Sequence, residues 1–71
     1  MITEESFNDF METTISSARM SLPFPLWVYV AEQRIYGGVW MLAYSEDLPN
    51  HRVYELMKVL DERIAKEAKP Q

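Results

Sequence analysis

Two stretches of the chain repeat their apolar residues at a helical period, and a long apolar stretch between them does not. Phe7, Phe10, Met11, Ile15 and Ala18 stand at i, i+3, i+4, i+8 and i+11, which predicts an amphipathic helix running to about Arg19 or Met20. Thr3 suits its N-cap, Glu4 and Glu5 complement the helix dipole, and Ile2 and Phe7 have the spacing of a hydrophobic staple. Thr13, Thr14, Ser16 and Ser17 compete for backbone hydrogen bonds, so this helix leans on tertiary packing. Near the other end, Val53, Leu56, Met57, Leu60 and Ile64 repeat at i, i+3, i+4, i+7 and i+11 and predict a second helix. Asp47 or Asn50 is its expected cap, with Pro49 in the first turn. Lys66 and Lys69 fall where the dipole favours cations, and Pro70 is its stop.

The segment from Pro23 to Tyr44 holds both tryptophans, both glycines and three of the four tyrosines, so any core must involve it. Pro23 and Pro25 push Leu22 and Phe24 toward extended conformations, and Leu26 to Val30 and Ile35 to Tyr44 are rich in β-branched and aromatic residues. The expected fold is therefore α+β: helix-strand-strand-helix, an antiparallel β-hairpin packed against two amphipathic helices in a single domain. A turn at Glu32-Gln33 sorts the hairpin into an aliphatic face (Leu26, Val28, Val30, Ile35, Val39, Met41) and an aromatic face (Trp27, Tyr29, Tyr36, Trp40, Tyr44). A turn at Gly37-Gly38 is the stronger local signal but mixes the faces. The alternative is all-α, three to four short helices, with Leu26 to Tyr36 helical, Pro25 at its first position and Gly37 just past its end. Such a helix would be apolar all round in its first half.

Composition narrows the function more by exclusion than by assignment. At 71 residues, a domain buries only about 60% of its unfolded surface, and oligomerisation is one usual remedy. No cysteine is present, which removes disulfides and thiolate chemistry. A net charge of −4 opposes direct nucleic-acid binding. Met1-Ile2-Thr3-Glu4-Glu5 lacks a basic region followed by an apolar one, and Glu32, Gln33 and Arg34 interrupt the only candidate membrane span. A cytoplasmic protein is the expectation, with no cofactor and no membrane partner.

His51 is the only histidine and has no soft-ligand set around it, so it reads as a surface residue rather than a metal ligand or base. The hydroxyls of the first helix lack a nucleophile-elbow signature. Glu5, Asp9 and Glu12 recur at i, i+4 and i+7 as an acidic face, suited to solvation or to imitating nucleic-acid phosphates as a decoy. Trp27, Tyr29, Tyr36, Trp40 and Tyr44 are the candidate interface, since Trp and Tyr are enriched at binding hot spots. Together these features suggest a non-enzymatic module that binds another protein and modulates or inhibits it, as a homodimer, in the manner of accessory proteins of phages and mobile elements. A small-molecule sensor lined by the same rings is the other reading.

Overall fold

The computed structural model describes residues 3–68, and all of its regular structure is helical: α1 (Glu4–Ser21), α2 (Leu26–Glu46) and α3 (Asn50–Glu67). Connections of four and three residues force antiparallel neighbours, giving an up-down-up bundle. α2 packs against both other helices, and the bundle measures 39 × 19 × 18 Å. The expected staple at Ile2, the cation at Lys69 and the stop at Pro70 lie outside the described residues.

α1 and α3 follow their sequence stripes. Thr3 caps α1 in a capping box: its Oγ1 accepts from the Ser6 N–H at 3.0 Å, and Ser6 Oγ accepts from the Thr3 N–H at 2.9 Å. Phe7, Met11, Ile15 and Ala18 of α1, and Val53, Leu56, Leu60 and Ile64 of α3, are buried. α3 starts differently from expectation. Pro49 is its N-cap, without a side-chain hydrogen bond, and Asn50 is its first helical residue. Asp47 does not cap α3 either. It ends α2 in the left-handed conformation at φ 57°, which a short polar side chain tolerates.

The α+β expectation is overturned. Leu26 to Tyr44, read as a β-hairpin in either register, lies within one helix of 21 residues. The all-α alternative is the one that the three helices bear out, with two corrections in detail: α2 continues through Gly37 and Gly38, and Pro25 is its N-cap rather than its first residue. The physical reason is burial. β-Propensity reports fit to a half-buried pleated surface, and a lone two-stranded ribbon offers little to pack on. Wound as a helix, the same residues bring Trp27, Ala31, Ile35, Val39 and Ala43 onto one inward line, all buried. Gly38 joins that packing: a Cβ there would lie 2.7 Å from the Phe10 ring, so α1 and α2 meet closely because position 38 has no side chain.

A polar seam closes the bundle where the parallel α1 and α3 run side by side. Arg63 donates from Nη1 to Asn8 Oδ1 at 3.0 Å and from Nε to Glu67, whose other oxygen lies 3.4 Å from Arg19 Nη1. Arg19 also stands 5.2 Å over the Trp27 ring, a cation–π contact that fixes the α1–α2 corner.

Candidate functional site: the outer face of α2

Helix geometry that buries Trp27, Ala31, Ile35, Val39 and Ala43 must turn the other side of α2 outward. That side is largely apolar, with Gln33 and Arg34 as its polar members. Leu26, Tyr29, Trp40, Met41 and Tyr44 are between 46% and 94% exposed, and Val30 is half-buried beside them. Leu26, Val30, Gln33, Gly37, Trp40 and Tyr44 follow one another at steps of 4, 3, 4, 3 and 4 residues, the spacing of a helix-pairing seam. Scattered exposed apolar residues are ordinary, but two apolar groups on one helix face, Leu26, Tyr29 and Val30 at one end and Trp40, Met41 and Tyr44 at the other, with Gln33 and Gly37 between them, mark an interaction surface.

The helix divides the five aromatic residues that sequence reasoning grouped together. Trp27 is 5% exposed and belongs to the core. Tyr36 is half-buried and donates its hydroxyl hydrogen to Asp61 Oδ1 of α3 at 2.7 Å. That hydrogen bond, with burial and the nearby charges of Asp61 and Glu32, pushes the Tyr36 phenol up to about 12. Tyr29, Trp40 and Tyr44 remain on the outer face, where Leu26, Met41 and Gly37 join them. Sequence reasoning missed those three as site residues. For Leu26 and Gly37 the signal was the 4-3-4-3-4 spacing, hidden because the segment was read at the two-residue period of a strand; Met41 lies beside that seam and carried no such signal.

Gly37 is the telling member of this face. A Cβ added there would meet nothing within 4 Å, so no intramolecular packing explains a glycine that costs about 1 kcal/mol in a helix interior. At the N-terminal end of the stripe, Phe24, Pro25, Leu26, Val28, Tyr29, Glu32 and Ala68 line an open, largely apolar groove of about 420 Å³.

The other candidates stay apart from this surface. Glu5, Asp9 and Glu12 are exposed along α1; Asp9 and Glu12 border a shallow surface shared with Thr13, Ser16 and Ser17. Ser21 turns its hydroxyl back to the Ser17 carbonyl at 3.0 Å. His51 is exposed at the start of α3, and among the described residues no group of histidine and carboxylate side chains could hold a metal ion. No helix among the described residues is long and apolar enough to cross a membrane. Fold and surface together define a three-helix bundle in which α2 is apolar inward and carries exposed apolar residues outward. Comparison with protein-family models, with curated proteins and with solved structures found no match.

Proposed function

We propose that this protein works in the cytoplasm as a non-catalytic binding module, modulating another protein through the outer face of α2. The observation that carries this reading is the exposure of Leu26, Tyr29, Trp40, Met41 and Tyr44 on the outer face of α2, on either side of an unexplained Gly37. Aromatic residues on a rigid helix lose little conformational entropy on binding and bury large areas, the profile of interface hot spots. The apolar groove lies open at the end of this stripe, so it extends the surface rather than enclosing a small ligand.

Affinity capture from the native host with the wild-type chain, alongside a Met41→Glu/Tyr44→Glu chain, tests the proposal. Both positions are exposed, so the variant should fold normally. A protein retained by the wild type and lost with the variant is the expected result. Equal recovery of every retained protein by both chains would place the working surface elsewhere.

A further inference from the structure

We infer that a second copy of this chain can occupy the outer face of α2, pairing with it antiparallel about a twofold axis level with Ile35. This rests on the reading of that face as the working surface and names one occupant for it. The stripe on that face is self-complementary when reversed. Its six positions, 26, 30, 33, 37, 40 and 44, are symmetric about their midpoint, so reversing the helix sets Leu26 against the partner's Tyr44, Val30 against the partner's Trp40 and Gln33 against the partner's Gly37. Each layer thus joins a larger side chain to a smaller one, as interdigitated packing requires.

Two local features fit this register. At the ends, Tyr44, which is 94% exposed, meets the partner's Leu26 beside the open groove that Phe24, Leu26 and Tyr29 line. The most protruding ring is therefore brought to the apolar hollow. Near the axis, Gly37 leaves the room that the partner's Gln33 amide needs, which accounts for a glycine with open space where a side chain would point. Two symmetry-related glutamines then lie close enough to hydrogen-bond across the axis, a polar device that fixes register in helix pairs.

Area supports the same occupant. With aromatic residues burying ~150–250 Å² each, the exposed parts of Leu26, Tyr29, Trp40, Met41 and Tyr44 amount to about 700 Å² per chain. Stable specific interfaces bury roughly 600–1,000 Å² per partner. An isologous pair reaches that range when the flanking Tyr29 and Met41 are covered together with Leu26, Trp40 and Tyr44 of the seam. It would also relieve the stability shortfall of a small domain.

Sedimentation equilibrium of the full chain over a wide concentration range, with Gly37→Gln as control, tests the inference. The substitution adds a side chain where the isolated chain has open space, so circular dichroism should show an unchanged helical fold. The wild type should dimerise, and Gly37→Gln should raise the dissociation constant roughly tenfold or more. A wild type that is monomeric throughout, or a dimer indifferent to Gly37→Gln, overturns the inference. Because the chain has no cysteine, orientation can be read separately from disulfide trapping. A mixture of Gln33→Cys and Gly37→Cys chains should cross-link chiefly to each other. Preferential linking of each variant to itself indicates parallel pairing and overturns the register. A monomeric wild type whose captured partner is still lost with Met41→Glu/Tyr44→Glu defeats the second copy as occupant and leaves the proposed function standing; a dimer with no differential capture does the reverse.

Discussion

At Gly38 an added Cβ would lie 2.7 Å from the Phe10 ring, whereas at Gly37 it would meet nothing within 4 Å. The two neighbours should therefore respond differently to alanine. Measured by urea unfolding at concentrations low enough to keep the chain monomeric, Gly37→Ala should stabilise by up to about 1 kcal/mol, the helix-propensity gain. Gly38→Ala should lose most of that gain, because the Phe10 ring must swing out, and should recover it in a Phe10→Ala background. Tyr36 makes a second residue-scale prediction. Its phenol, raised to about 12 by Asp61 and burial, compares with about 10 in an unfolded chain. A raised value means that the protonated form is favoured in the fold. The stabilisation is full below about pH 10 and is lost as pH rises through about 12. Tyr36→Phe should remove this alkaline step and cost about 1 kcal/mol at neutral pH, the net worth of one hydrogen bond. Comparing urea midpoints across that pH window checks both.

On the level of elements, α1 and α3 were legible because each carries a single apolar stripe at helical spacing and polar residues elsewhere. Thr3 was legible as a cap for the same local reason, and Thr3→Ala should cost about 1 kcal/mol by removing the capping box. α2 was not legible, and Val28, Tyr29, Val30 and Trp40 show why. β-Branched and aromatic residues weigh toward a strand, and the outward face of α2 supplies little polar contrast beyond Gln33 and Arg34 against which the inward line could stand out. The objection to a helix was that it would be apolar all round. That objection concerned the first half of the helix, where Leu26 to Ala31 carry no polar side chain apart from the Tyr29 hydroxyl, and the exposed Leu26 and Tyr29 of that half belong to the candidate site. The inward line of Trp27, Ala31, Ile35, Val39 and Ala43 was in the sequence, but the hairpin's two-residue alternation split it, with Trp27 on the aromatic face and Ile35 and Val39 on the aliphatic one.

For the whole molecule, the aromatic set could be proposed from the sequence as an interface, yet its membership required the helix. Knowing which rings turn outward depends on which residues α1 and α3 cover. Trp27 and Tyr36 passed to the core and to the α2–α3 contact, while Met41 and Gly37 entered the site. Charge then shapes how the surface behaves. Each chain carries −4, and in the antiparallel pair the two Arg34 side chains fall on one side of the twofold axis. Repulsion in both places is screened by salt, with a Debye length of about 10 Å at 0.1 M. Added sodium chloride should therefore tighten the dimer in sedimentation runs; a dimer weakened by salt would point to ion pairs in place of the apolar stripe.

The most direct measurement is an isotope-filtered nuclear Overhauser experiment on a mixture of labelled and unlabelled chains. The antiparallel pair should give intermolecular contacts from the Tyr44 ring to the Leu26 methyls and from the Trp40 ring to the Val30 methyls, with helical shifts unbroken through Gly37 and Gly38. Strand-like shifts between Leu26 and Tyr44, or a concentrated sample without intermolecular contacts along α2, would contradict it.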